Sequence, residues 1–238
     1  MNLTIAGMSL RALLGRRRAL LLLPMPVLLI GLTLIARLTG AGIGDWGPVV
    51  FAQLGLGVIL PLTALIVGSS VLGLEIEDGT ITHILAKPLP RSEIILAKLA
   101  VAWAVTTVAT AIPLAVAGVI AGSGALALGV GVGAAVGALA YSAAFLALSL
   151  LTRRPVGVGL LYILLWENLL VRFVGGAKVL SVREYSTVLA RAISGSTALP
   201  AADLPTVAAV LLAAAFVVGG TALATSRLRS FALTGETS

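Results

Sequence analysis

The chain has 238 residues, of which 59% are hydrophobic and 11% charged, and its mean hydropathy is +1.14. Soluble domains carry about 25% charged residues, so this composition excludes an ordinary soluble enzyme, and the lack of cysteine excludes disulfides, thiol nucleophiles and Cys-ligated metals. The net charge of +7 comes from Lys and Arg that separate apolar runs, which is typical of a polytopic membrane protein and not of a nucleic-acid-binding face.

The N-terminal segment, residues 1–18, alternates apolar and polar residues before the first long apolar run. We interpret it as an amphipathic helix in the membrane interface, with its arginines directed at lipid phosphates. The expected interface anchors are Arg11, Arg16, Arg17 and Arg18. The alternative interpretation is a frayed basic tail.

The rest of the chain contains six apolar windows and predicts an all-α fold in a single transmembrane domain covering residues 1–238. A helix needs about 20 apolar residues to cross the hydrocarbon core. The predicted spans are 19–38, 49–74, 97–121, 125–151, 155–174 and 204–226. Residues 175–203 are too polar to span, so we expect a re-entrant or surface-helical outer segment there.

The distribution of basic residues predicts the orientation of the spans. With six spans and the N-terminus inside, 11 of the 16 Lys and Arg residues are cytoplasmic and both termini are cytoplasmic. The basic residues between 178 and 191 lie outside in this arrangement. A five-span alternative would move them to the cytoplasmic side.

The predicted fourth span carries closely spaced glycines, including Gly133 and Gly137 four residues apart. Small residues at this spacing let two helices approach closely in a membrane. We interpret them as ordinary helix packing.

The segment 75–93, between the second and third predicted spans, is the most informative part of the sequence. Its carboxylates Glu75, Glu77 and Asp78 follow the second span, where negative charge opposes the helix dipole. Asp78 is suited to cap a short helix over 79–86 with one apolar face. Such a helix would dock a soluble partner. The physical argument favours equally the alternative that the segment is only a solvated connector.

Glu167 is the second feature that requires an explanation. Pro155 to Trp166 covers 12 residues, or about 18 Å of helix, so we expect Glu167 at membrane depth, towards the outer half. A carboxylate there is a functional candidate by default. Two interpretations of Glu167 remain open. It is either a pathway or gate group, together with Trp166 and Arg172, or a polar tie to the outer segment, for instance to Arg183.

The loop also carries a family resemblance. Its acidic-Gly-Thr stretch, its proline-arginine step and the lysine of the next helix resemble the type-2 permease superfamily of ATP-binding-cassette (ABC) transporters. The matching residues are Glu75, Glu77, Gly79, Thr80, Pro88, Arg91 and Lys98. Trp166-Glu167 and residues 180–185 resemble one branch of small bacterial permeases.

The resemblance implies a permease subunit of an ATP-driven exporter in the bacterial cytoplasmic membrane. Loop 75–93 would then be a coupling helix that contacts a separate nucleotide-binding ATPase subunit. The contacts carried over are Glu75, Glu77, Asp78, Gly79, Thr80 and His83. A second permease, either identical or related, would complete the pathway among the membrane lipids.

The sequence assigns no chemistry to this chain itself. It lacks a Gly-x-x-x-x-Gly-Lys-[Ser/Thr] phosphate loop, so we expect ATP and Mg on the partner subunit, with no cofactor, metal or catalytic residue here. His83 stands alone and is interpreted as an interface residue. Two further functions remain open: an ion-coupled secondary transporter or channel that uses Glu167, and a non-transporting membrane scaffold.

Overall fold

The computed structural model describes residue 7 and residues 23–77, 90–152, 154–202 and 204–234, without the side chains of 73–77, 172, 175 and 230–234. Within these ranges every regular element is helical. The α-helices are α1 (Pro24–Leu38), α2 (Ile43–Gly47), α3 (Leu60–Glu77), α4 (Arg91–Ile120), α5 (Gly124–Leu151), α6 (Pro155–Leu161), α7 (Val171–Phe173), α8 (Val182–Ser194) and α9 (Thr206–Thr234). The first π-helix, Pro48–Ile59, joins α2 to α3, the second, Tyr162–Leu170, joins α6 to α7, and a 3-10 helix, Gly175–Leu180, precedes α8.

Four helical segments are long and apolar enough to cross a bilayer. They are Ile43–Leu72, Arg91–Ile120, Gly124–Leu151 and Thr206–Arg229, at the positions of the second, third, fourth and sixth predicted spans. The segments predicted as spans one and five contain shorter apolar helices, Pro24–Leu38 and Pro155–Leu170. A helix of 15 residues is about 22 Å long, less than the hydrocarbon thickness of about 30 Å.

The helices extend beyond the apolar windows that predicted them. The second spanning segment begins at Ile43 instead of 49, and α4 begins at Arg91 instead of 97. A charge-free window detects only the part of a helix that requires hydrocarbon, whereas Glu93 and Lys98 lie on the first turns of α4. The N-terminal helix predicted over 1–18 lies outside the described residues, apart from residue 7.

Helix α5 is the centre of the bundle, because α3, α4, α8 and α9 all pack on it. Its glycines face α8 at backbone distance. A β-carbon added at Gly129 would lie 2.9 Å from Cβ of Ser194, and one at Gly133 would lie 3.0 Å from Cβ of Ala190 and collide with the carbonyl oxygen of Ser186. The predicted close packing at these glycines is confirmed, and its partner is α8.

Helix α8 lies along α5 and not on the outside of the bundle. Seven of its 13 residues are buried, and its contacts run from Ser186 beside Gly137 to Ser194 beside Gly129. The helix therefore runs antiparallel to α5, with its N-terminus near the middle of the bundle. Ser181 caps that end, and Gly195, with φ of 59°, ends the helix.

Candidate functional site

Glu167 lies on the second π-helix with its side chain directed into the bundle. Ile163 and Glu167 are the buried positions of this helix, at 2% and 0% exposure, whereas Leu164, Leu165 and Leu169 are exposed. Glu167 thus lies on the face of this helix that contacts the bundle. The burial of a carboxylate there has a large cost in free energy unless hydrogen-bond donors surround it. The donors are present.

Four hydrogen bonds converge on the two carboxylate oxygens of Glu167. Oε1 accepts from the hydroxyl of Tyr141 at 2.8 Å, the hydroxyl of Tyr162 at 3.2 Å and the backbone N–H of Val182 at 3.0 Å. Oε2 accepts from the hydroxyl of Ser181 at 2.5 Å. Since each donor comes from the protein itself, the carboxylate is satisfied without solvent.

This geometry makes Glu167 part of the N-terminal cap of α8. Ser181 is the N-cap residue, and its hydroxyl oxygen also accepts from the N–H of Glu184 at 3.2 Å. Val182 is the first residue of the helix, so its N–H is one of the donors that a helix leaves unpaired. A carboxylate at this position also interacts favourably with the positive end of the helix dipole.

The depth of the carboxylate follows from Tyr141. This residue lies 10 positions before Leu151 and 17 after Gly124 on α5, or about 15 and 25 Å from the two helix ends. The carboxylate is therefore inside the bundle and nearer the Leu151 end of α5 than the Gly124 end, and its depth towards the outer half of a membrane stays a prediction. Phe145 stacks on Tyr141 and meets Tyr162 edge-on, with ring centroids 5.8 and 6.4 Å apart.

Trp166 also makes a hydrogen bond to the segment that leads into α8. Its indole N–H donates to the carbonyl oxygen of Leu180 at 3.2 Å, directly before the Ser181 cap. Trp166 and Glu167 together fix the start of α8. The Arg172 side chain lies outside the described part of the structure, so its predicted role stays a prediction.

The predicted polar tie to the outer segment exists, but its suggested partner was wrong. Ser181 and Val182 make the tie, and Arg183 is not one of the four donors. The Arg183 guanidinium lies instead against the first π-helix, where a β-carbon on Gly57 would be 2.9 Å from its Nε.

Sequence reasoning missed three of the donors: Tyr141, Tyr162 and Ser181. The available signal was chemical, because a buried carboxylate requires hydroxyl or amide donors and tyrosines are scarce in this chain, at three. All three tyrosines lie in this region, since the ring of Tyr185 also packs within the buried cluster that contains Tyr141.

The loop predicted to bind a partner is only partly described. The backbone of Glu75 and Glu77 continues α3, so the helix extends three residues beyond the predicted span, and their side chains lie outside the description. Asp78, Gly79, Thr80 and His83 lie outside the described ranges, as do the predicted anchors Arg11, Arg16, Arg17 and Arg18.

The base of that loop is nevertheless well defined. Lys98 on α4 is 1% exposed, and its ammonium donates to the carbonyl oxygen of Val71 on α3 at 3.0 Å. This bond joins the two helices that carry the loop, because Val71 precedes it and Lys98 follows it. Lys98 is also one of the residues that match the permease pattern.

Among the described side chains, no group of three His, Cys, Asp or Glu residues is arranged to hold a metal ion.

A comparison with protein families gives a match. The sequence model of the family described as "ABC-2 family transporter protein" matches residues 16–169, which is well over half of the chain and includes Lys98, Tyr141 and Glu167. A comparison with curated proteins finds no match.

Proposed function

Because the chain belongs to the ABC-2 family of transporter proteins, we propose that it is the membrane permease subunit of an ATP-driven exporter. The observation that carries this proposal is the family match over residues 16–169, on a chain whose described part is a bundle of apolar helices. A membrane component of an ABC transporter works in general with an ABC ATPase. Export as the direction of transport rests on the resemblance of loop 75–93.

The proposed permease has six spans with both termini in the cytoplasm of a bacterial cell. The four long helices supply four of them, and the segments around α1 and α6 to the second π-helix supply the first and fifth. Helix α8 is then a re-entrant element that returns to the outer side. Its buried contacts with α5 and the cap at Glu167 support this arrangement.

Coupling to ATP hydrolysis is proposed to pass through loop 75–93. The acidic residues Glu75, Glu77 and Asp78 would contact the nucleotide-binding subunit, which holds ATP and Mg. The Lys98–Val71 hydrogen bond supports this proposal, because it joins α3 to α4, so that a force on the loop would move the two helices together. Residues 1–18 would lie in the interface beside the same subunit.

A second permease, identical or related, would complete the translocation pathway. In this proposal Glu167 acts by positioning α8 along α5, next to the space that the two permeases share. The four protein donors on its carboxylate support a positioning role. Trp166 and Arg172 are proposed to act beside it, as parts of the pathway or of a gate.

The proposal is tested by charge reversal in the loop. The double variant Glu77→Lys, Asp78→Lys changes residues outside the hydrocarbon, so insertion and packing should survive. Opposite charges near a protein surface attract by up to about 4 kcal/mol before screening, so reversal should abolish co-purification with the ATPase subunit. The control is Asp45→Lys, an exposed carboxylate at the far end of the second spanning segment.

The expected result is loss of the ATPase subunit, or of coupled transport, in the double variant and retention of both in the control. Wild-type binding and transport by the double variant would reject loop 75–93 as the coupling element. Flux by the purified chain alone under an ion gradient would instead support an ion-coupled transporter. Binding of a soluble partner without any flux would support a scaffold.

A further inference from the structure

A cleft in the side of the bundle adjoins the start of α8 and lies apart from loop 75–93. It runs between α5 and α9 and has a volume of about 410 Å³. Its walls are apolar, from Ala147 and Leu148 on α5 to Phe216 and Gly219 on α9, and Leu180 and Tyr185 also line it. The cleft lies on the periphery, because only 17% of the most apolar stretch of α9 is buried in the protein.

The cleft is long and narrow. On α9 it extends from Leu212 to Leu223, which is 11 residues or about 16 Å of helix. Small residues such as Ala215 and Gly219 line its middle and are exposed, so it is open to the surrounding bilayer along one side. These dimensions fit a linear hydrocarbon chain and not a compact ligand.

The two helices that form the cleft run in parallel, so their C-terminal ends lie on the same side of the bundle. Gly220 packs against the backbone of Ala143, and Leu228 shares a buried cluster with Leu150. The end of the cleft on that side is consequently defined by Leu151 on α5 and by Leu223 on α9.

That end is basic. Arg154 follows Leu151 by three residues and is exposed, and Arg227 follows Leu223 by one helical turn and is exposed. Arg227 continues the face of α9 that lines the cleft, since positions four apart lie above each other on a helix. A guanidinium has five donors and can bind an anion while it keeps other contacts.

We propose that this cleft binds one acyl chain of an anionic phospholipid of the surrounding bilayer, with the lipid phosphate held by Arg227 and Arg154. The apolar length of the cleft accounts for the chain, and the two arginines at its mouth account for the negative headgroup. Basic sites between membrane helices recognise anionic headgroups in this way. The proposal is independent of what the permease transports.

Native mass spectrometry of the purified full-length chain tests this site. Delipidated protein is titrated with phosphatidylglycerol and, separately, with phosphatidylcholine that carries the same acyl chains. We expect tighter retention of phosphatidylglycerol by the wild type. Arg227→Gln should weaken that binding about fivefold, which corresponds to about 1 kcal/mol, and Ala215→Phe, which fills the cleft, should weaken both lipids.

Two matched controls lie on the same helix. Arg229→Gln removes the same charge two residues further on, away from the cleft face, and Ala214→Phe adds the same ring to an exposed position on the opposite face. Both should bind phosphatidylglycerol like the wild type. If Ala215→Phe does not fold, Arg227→Gln, an exposed position, still decides the question.

Equal binding of the two lipids, or equal effects of Arg227→Gln and Arg229→Gln, would overturn the proposal. The same spectra also report the number of protomers. A loss of protomers in Ala215→Phe without any loss of lipid would assign the cleft to a second copy of the chain and would likewise overturn it.

Discussion

The buried ammonium of Lys98 donates a hydrogen bond to the carbonyl oxygen of Val71, across 3.0 Å between α4 and α3. The bond lies six residues before α3 ends at Glu77 and seven residues after α4 begins at Arg91, or about 10 Å of helix from either end. It joins the two helices that lead into loop 75–93.

Replacing this lysine should affect coupling more than stability. Lys98→Met keeps the length of the side chain but removes the donor. The removal of a buried charge offsets part of the lost bonding, so we expect a change in unfolding free energy of no more than about 2 kcal/mol, with a large fall in ATPase stimulation. Thermal unfolding and ATPase assays in reconstituted membranes measure the two effects.

Lys178→Met is the control for that experiment, because it makes the same chemical change on the 3-10 helix that precedes α8. It should leave ATPase stimulation at the wild-type level. Normal stimulation in Lys98→Met would show that the bond does not carry coupling.

The glycines of α5 offer a second prediction. Gly133→Ala forces a β-carbon into the Ser186 carbonyl oxygen and should destabilise the bundle by about 1–3 kcal/mol. Gly131→Ala is its matched control two residues earlier, where the nearest atom to an added β-carbon is Cβ of Ala115 at an ordinary 3.5 Å. Unfolding in detergent should separate the two variants, and equal stabilities would contradict the close contact between α5 and α8.

Variants of Glu167 separate its hydrogen bonds from its charge. In Glu167→Gln the amide oxygen can accept the three bonds made to Oε1, and the amide group can donate to the hydroxyl of Ser181. We therefore expect unfolding free energy within about 1 kcal/mol of the wild type and near-normal transport. Glu167→Leu leaves Tyr141 and the N–H of Val182 without an acceptor and should cost about 3–5 kcal/mol.

Transport assays on the stable Glu167→Gln protein decide what the charge itself contributes. Loss of transport with unchanged stability would assign the carboxylate to the pathway instead of to the cap of α8. Equal stability of the Gln and Leu variants would contradict the hydrogen-bonded cap.

The two serine caps of the bundle provide a fourth comparison. Ser123 accepts from the N–H of Leu126 at 3.1 Å and caps α5, and Ser181 caps α8 in the same way but also donates to Glu167. Loss of an N-cap costs about 1 kcal/mol, and loss of a hydrogen bond to a charged group adds about 1.5–3 kcal/mol. Ser181→Ala should thus lower the unfolding free energy more than Ser123→Ala. Equal losses would show that the bond to Glu167 contributes nothing.

The sequence predicted the parts of this fold that follow from the exclusion of polar groups from hydrocarbon. The apolar windows 97–121 and 125–151 predicted two helices with a short turn between them, and α4 and α5 meet at residues 121–123. The short distance in sequence from Pro155 to Glu167 predicted a carboxylate at membrane depth, and the structure buries it in the bundle. Both inferences use only the cost of polar groups in hydrocarbon.

The partners of the carboxylate required information that a single sequence does not hold. Tyr141 lies 26 residues before Glu167 on another helix, and its role depends on how α5 is rotated. The choice of Arg183 as partner assumed that opposite charges pair, whereas the N-terminus of α8 supplied N–H and hydroxyl donors instead. Hydropathy predicts how deep a residue lies along a helix in the membrane, but it does not predict how that helix is rotated about its axis.

The central position of α5 also bears on how the chain is made. Synthesis proceeds from the N-terminus, so α5 is present before α8 and α9, and each later helix finds its packing surface already in the membrane. Glu167 emerges when Tyr141 and Tyr162 exist but Ser181 and Val182 do not. Half of the donors to the carboxylate are therefore synthesised about 14 residues later, which takes roughly a second or more at ordinary rates of synthesis. Release of this segment from the insertion machinery is consequently expected to follow the synthesis of α8, and chains truncated before Ser181 should remain bound to that machinery.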